Sequence, residues 1–230
     1  MSIYAISDLH LSFNTNKPMN VFGWIDYENR IKEDWLNKVT DNDLVLLPGD
    51  FSWELKLEET YKDFEFLNSL PGKKLLLKGN HDYWWTTISK MREYLKKINI
   101  VNIDFLYNNS YEFEDKIIAG TRGWNIIDET PEDEKIKKRE IIRLELSLND
   151  GIKKYGTDKP IIVCMHYPPI VKGNINNEFT QLLEKYNVSK CIYGHLHGKS
   201  QINAIEGTIN KIEYKMVSCD YTNFKIQKIY

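Results

Sequence analysis

The chain has 230 residues, 42% of them hydrophobic and 28% charged, with a formal net charge of -2. That length carries one large core, residues 1–230 read as a single domain, and the composition excludes collagen-like, disordered and membrane-spanning classes. Charges of both signs are mixed along the chain, which argues against nucleic-acid and membrane partners, so any phosphate-bearing substrate must be attracted locally.

From the first residue, the strand-like run at 3–6 follows with no basic region or long apolar stretch. The expectation is therefore no signal peptide, no transmembrane helix and a cytoplasmic location. Asp8-Leu9-His10 comes directly after this run, and a polar segment at 12–26 with Lys17-Pro18 reads as a loop over the site. A helical pattern at 28–39 precedes a second strand at 44–47 and Gly49-Asp50. Another helix at 58–70 leads to a third strand at 75–77, which ends in Gly79-Asn80-His81-Asp82. Tyr83, Trp84 and Trp85 come next and, with Trp24, Trp53 and Trp124, read as core residues, with one of them a candidate to line the pocket. Helical spacing resumes at 86–98, and 108–114, between strand-like runs, reads as a second wall. Arg122 lies between two glycines in AGTRGWN, after a strand-like run, where a guanidinium could fork a phosphate. The charged helix at 131–155 reads as a solvated face. A fourth strand at 161–165 ends at His166, a helix covers 178–186, and a fifth strand at 191–193 ends in Gly194-His195-Leu196-His197. The tail at 202–230 reads as successive strands.

Strands that alternate with helices and then run on alone indicate a layered α/β fold, as a mixed sheet or as two stacked sheets with helices outside. In such folds the residues past the carboxyl ends of strands line the ligand crevice. All five histidines of the chain lie there, with Asp8, Asp50 and Asn80. The three cysteines have no C-x-x-C spacing, so neither a disulfide framework nor a thiolate zinc site is indicated.

Asp8 with His10, and His195 with His197, are spaced so that an extended segment points both side chains one way. Carboxylate, imidazole and amide oxygen suit a divalent ion such as manganese, with iron, zinc or cobalt as alternatives. Asp8, His10, Asp50, Asn80, His166, His195 and His197 make seven ligand-type side chains, too many for one ion with an open position, so two ions sharing a carboxylate are expected. Asn80 ligates without adding negative charge, which leaves a positive centre for an anionic substrate. His81 is then free to act as general acid, and Asp82 either orients it or caps the next helix.

The series D-x-H, G-D, G-N-H-D, H and G-H-x-H, from Asp8 to His197, resembles the calcineurin-like metallophosphoesterases. The resemblance implies a four-layer α-β-β-α sandwich of two packed mixed sheets and a dinuclear centre that hydrolyses phosphoesters. It implies Asp8, His10, Asp50 and His197 around one ion and Asp50, Asn80, His166 and His195 around the other, with Asp50 bridging and His81 as acid. The Ser/Thr protein phosphatases of that superfamily continue G-D into D-R-G, whereas this chain continues Phe51-Ser52-Trp53-Glu54, so it is closer to the compact bacterial phosphohydrolases. The expected reaction is in-line attack on a phosphomonoester or phosphodiester by a metal-bridging hydroxide, with no Ser or Cys nucleophile. Two other readings are a non-catalytic binding module on the same fold and a nuclease or nucleotide phosphodiesterase. Intact ligands oppose the first, and near-neutral charge opposes the second.

Overall fold

The computed structural model describes the whole chain except residues 16, 18, 128 and 129, so Pro18 of the expected first loop lies outside the described residues. The strands are, in chain order, β1 (Ile3–Ala5), β2 (Leu44–Leu47), β3 (Lys73–Leu77), β4 (Ile103–Leu106), β5 (Tyr111–Phe113) and β6 (Lys116–Thr121). They continue with β7 (Ile161–Met165), β8 (Lys190–Tyr193), β9 (Gly207–Ile209), β10 (Ile212–Met216) and β11 (Gln227–Lys228). The helices are α1 (Tyr27–Lys38), α2 (Tyr61–Asn68), α3 (Ile88–Lys97), α4 (Pro131–Tyr155) and α5 (Glu178–Lys185).

One sheet has five strands in the order β11-β1-β2-β3-β4 and the other six in the order β5-β6-β7-β8-β10-β9. Each is parallel at its centre; the first has the antiparallel β11 at one edge and the parallel β4 at the other, and the second has the antiparallel β5 and β9 at its edges. The expected wall at 108–114 is thus partly the edge strand β5, whose Tyr111 pairs with Ile118 of β6.

Strand periodicity explains the layering, because alternate residues of a strand face opposite sides. Ala5, Leu46, Leu75 and Leu77 from one sheet pack with Ile118, Ile162, Cys164 and Ile192 from the other, forming an aliphatic seam between them. The outer face of the first sheet (Tyr4, Val45, Leu47, Leu76) packs on Ile31 and Trp35 of α1, Phe64 and Leu67 of α2, and Met91 and Leu95 of α3. The outer face of the second (Ile117, Ala119, Val163, Cys191) packs on Leu144 and Leu148 of α4 and Phe179 and Leu183 of α5. The result is the α-β-β-α sandwich, and each fully buried Leu or Ile of the seam contributes about 1.5–3 kcal/mol.

The helix starts follow capping chemistry. Thr130 and Asp133 form a capping box with Pro131 in the first turn of α4, and Asn177 accepts the N–H groups of Phe179 and Thr180 at α5. Helix α4 is not wholly a solvated face, however. Glu140, Leu144, Ser147, Leu148 and Gly151 recur at three- and four-residue spacing and are buried against β6, with Ser147 Oγ accepting the Gly120 N–H at 2.9 Å. No helix among the described residues is long and apolar enough to cross a membrane.

Candidate metal centre

The parallel strands of both sheets end at one rim, and the backbone there departs from regular geometry. Asp8, His10, Asp50 and His195 all have left-handed φ, at 60°, 45°, 52° and 71°. Non-glycine residues seldom adopt this region, and residues held in it cluster at functional sites. The loop after β1 runs beside the loop after β2, with Asp8 N–H donating to Gly49 O at 3.0 Å and His10 N–H to Asp50 O at 3.0 Å. The same loop reaches the segment after β10 through Ser7 N–H to Val217 O at 2.9 Å, which ties the two sheets together at the rim. The glycines of the motifs are demanded by close approach. A Cβ on Gly79 would overlap the Asp50 carboxylate, and one on Gly194 would overlap that of Asp8.

The seven candidate ligands converge. Asp8 Oδ1 lies 3.1 Å from His197 Nε2, and Asp8 and His197 group with His10. On the other side Asn80 Oδ1 lies 2.6 Å from His166 Nε2 and 2.9 Å from His195 Nδ1. Asp50 Oδ2 sits between the two groups, 3.7 Å from His10 Nε2 and 3.5 Å from His166 Nε2. The remaining oxygens are held by the protein, since Asp50 Oδ1 accepts the His81 N–H at 2.8 Å and Asp8 Oδ2 accepts from Ser7 Oγ and the His195 N–H. His166 Nδ1 donates to Pro48 O at 3.0 Å, which leaves Nε2 with its lone pair toward the centre.

The electrostatics suit cations. Burial pushes His10 down to about 3, His195 down to about 4 and His166 well below the ordinary histidine range, so these imidazoles are neutral, as ligation requires. Burial opposes ionisation of Asp8, yet His197, His166 and His10 outweigh it and hold the carboxyl far below its usual range. Burial also disfavours charge on His197, but Asp8 and Asp220 on either side raise it to about 10. Asp50 is pushed up by burial and then by the carboxylates of Asp8 and Asp82. Among the described residues no Lys or Arg pairs with Asp8 or Asp50; the groups that face them are imidazoles. A donor set of carboxylate, amide and imidazole, with no thiolate and no fixed cation, fits divalent ions.

His81 lies beside this cluster with its ring 4.5 Å from Trp53 and 5.6 Å from His10. Its Nδ1 is buried without a hydrogen-bond partner. Asp82 therefore does not orient His81, and it caps no helix, since Thr87 caps α3. Its buried carboxylate instead accepts N–H groups of Asp50, Phe51, Ser52 and Gly79 at 2.7–3.2 Å, and the Trp84 indole at 3.0 Å. That arrangement pins the loop after β2 to the loop after β3.

Arg122 is also redirected. Its guanidinium lies 3.6 Å from Glu140 and over the Trp124 ring at 4.5 Å, lining a separate cavity, while its backbone carbonyl accepts the His166 and Tyr167 N–H groups. A cleft of about 410 Å³ opens at the other side, lined by His10, Trp24, Trp53, His81, His197 and Asp220 among others. Trp53 stacks on His10 at 4.7 Å, so Trp24 and Trp53 line the cleft whereas Trp84 and Trp85 are core residues.

Sequence reasoning missed Asp220, which lies 2.9 Å from His197 Nδ1 and also accepts the Gln201 side chain at 2.8 Å. It follows β10 and belongs to no motif, so only its place past a strand end could have marked it. Tyr167, after His166, packs on the His195 ring at 4.1 Å and was equally unmarked.

No curated protein matches the sequence. Three solved structures share the fold across nearly the whole chain. A protein of unknown function from Aquifex aeolicus is 21% identical, with a TM-score of 0.50 and 99% of this chain and 95% of that one covered. The phosphopantetheinyl hydrolase of Mycobacterium tuberculosis is 11% identical, with a TM-score of 0.57 and the same coverages. TT1561 of Thermus thermophilus is 14% identical, with a TM-score of 0.57 and coverages of 98% and 96%. Residues 1–199 match the calcineurin-like phosphoesterase family, and the chain belongs to that family.

Proposed function

We propose that the protein is a phosphohydrolase that uses two divalent ions, manganese first among the candidates, to hydrolyse a small phosphomonoester or phosphodiester. The observation that carries this reading is the position of Asp50 Oδ2 between His10 Nε2 and His166 Nε2, which joins two ligand groups through one carboxylate. Asp8, His10, Asp50 and His197 would hold one ion, and Asp50, Asn80, His166 and His195 the other. Bound there, the ions would supply a water ionised near neutral pH, by lowering its pKa from 15.7 to about 7, and would offset charge on the phosphoryl oxygens.

The chain's own residues do the rest. His81 is free of hydrogen bonds at Nδ1 and faces the cleft beside His10, which suits it to hand a proton to the leaving oxygen. Its backbone N–H fixes one oxygen of Asp50 while the other oxygen faces the ligand groups. Asp220 and the Pro48 carbonyl set the tautomers of His197 and His166. Asp82 sets the spacing of the loops that carry Asp50 and Asn80. Trp24 and Trp53 present apolar walls that exclude water from one side.

The test is hydrolysis of p-nitrophenyl phosphate and bis-p-nitrophenyl phosphate by metal-stripped protein before and after addition of manganese. Turnover that appears only with the metal supports the reading, and the faster ester separates monoester from diester chemistry. Turnover unaffected by stripping and chelation would overturn it.

A further inference from the structure

A surplus of positive side chains lies outside the cluster just described. A cavity of about 530 Å³ opens between the end of β3, the end of β6, the start of α3 and the middle of α4. That is the size of a small-molecule site. Its charged lining consists of Lys78, Arg122, Arg139 and Arg143 with Glu140, four positive side chains around one carboxylate. Glu140 is buried and largely spoken for, with Arg143 Nη1 at 2.6 Å, Arg122 Nη2 and Arg139 Nε at 3.6 Å, and Thr121 Oγ1 at 2.8 Å. Arg143 also donates to the Tyr107 hydroxyl at 3.0 Å.

One carboxylate neutralises one of these cations. The Lys78 ammonium makes no hydrogen bond or ion pair with any described residue and is half-buried. Two further groups in the wall, Arg122 Nε and the Trp85 indole N–H, are buried without an acceptor. The unmet hydrogen-bonding capacity here consists of donors, and an unpaired buried donor is costly. A ligand that offers several acceptor oxygens and negative charge satisfies all of these demands together, and guanidinium geometry matches phosphate.

The cavity adjoins the candidate centre. Lys78 is two residues before Asn80, and the Arg122 carbonyl accepts the N–H groups of His166 and Tyr167 at 3.2 and 2.9 Å. The Arg122 guanidinium lies over Trp124, Trp124 lies 5.2 Å from Tyr167, and Tyr167 lies 4.1 Å from His195, a chain of ring contacts from the cavity wall to the centre.

We infer that this cavity receives a second phosphate group of the substrate, so that the natural substrate is a phosphoester carrying another phosphate away from the bond that is cut. The inference rests on the phosphohydrolase reading for the site of cleavage. It explains how a chain with net charge -2 draws in a polyanion, through a local surplus of positive charge.

The test compares straight-chain diol bisphosphates of increasing length with the matching alkyl monophosphates, using metal-loaded protein and released phosphate as the readout. At one or more lengths the bisphosphate should exceed the monophosphate in kcat/KM by about tenfold or more, chiefly through KM. That margin lies well above the factor expected from having two equivalent ends. The Lys78→Met, Arg139→Met double variant spares the ion pairs of Glu140 with Arg122 and Arg143, and should erase the preference, whereas Lys78→Arg should keep it. No preference at any length, or a preference that survives the double substitution, overturns the inference. If no ester is hydrolysed at all, the phosphohydrolase reading fails, and binding of inorganic phosphate to metal-free protein decides the cavity alone. Binding weakened about tenfold or more by the double substitution supports it; no binding, or binding unaffected, overturns it.

Discussion

The seam between the sheets and the rim at their ends are built from the same strands by opposite rules. In the seam, Leu46, Ile118, Ile162 and Ile192 are essentially fully buried, regular in backbone and matched in polarity to their surroundings. At the rim, a few residues further along those strands, the backbone turns left-handed at Asp8, Asp50 and His195, and buried carboxylates and imidazoles crowd together. The seam stores the stability that the rim spends on a strained, charge-dense arrangement. Substitutions in the two regions should therefore separate stability from activity.

The largest separation is expected from His81→Ala, which should lower turnover by about 10²–10⁴-fold while bound metal and melting temperature stay near those of the native chain. Esters with poor leaving groups should suffer most. A fall in metal content with the loss of turnover would make His81 a ligand and remove it as proton donor. In the seam, Ile162→Ala should do the reverse, costing about 2–5 kcal/mol in denaturant unfolding while the protein that remains folded keeps its specific activity. A large loss of activity per folded molecule would show that the seam and rim are not separable.

Asp220→Asn should give a smaller effect inside the rim. Weakening the partner of His197 Nδ1 should reduce metal affinity or activity by about 10–100-fold, with little change in unfolding. The smallest effect is expected at the border of the two regions. Asp63 on α2 accepts from Ser52 Oγ and, at 3.0 Å, from the Phe13 N–H, which fastens the loops after β2 and β1 to the helical layer. Burial raises its carboxyl from 3.8 to about 6. Between those values the folded chain holds a proton that the unfolded chain has released, so stability falls as pH rises through the window. Asp63→Asn should flatten that part of the profile, as followed by melting temperature from about pH 4 to about pH 7. An unchanged slope would assign the dependence to the rim carboxylates.

Much of this division was legible in the order of residues. Short apolar runs that end in Asp, His or Gly mark strands that stop at a site, and α4 spans 131–155 as its periodicity indicated. The candidate ligand positions were legible because each lies within five residues of a strand end, the region that lines the crevice of layered α/β folds. What was not legible depends on contacts between distant segments. Asp82 looks like a partner for its neighbour His81, but burial turns it toward the backbone of residues 50–52 and 79. Arg122 looked like part of the catalytic cluster, and the charges of α4 looked solvated. Pairing of β6 with β7 and packing of α4 on β6 bring Arg122, Arg139, Glu140 and Arg143 to one cavity, which no local pattern announces.

The central claim is that the rim is one centre for two ions joined by Asp50. Metal content of the manganese-reconstituted protein, determined by elemental analysis alongside the folded Asp50→Asn variant, tests it most directly. The account predicts two ions per native chain and loss of both from the variant, with its fold intact, because the shared ligand has gone. A native chain that binds a single ion, or a variant that retains full occupancy, would contradict it.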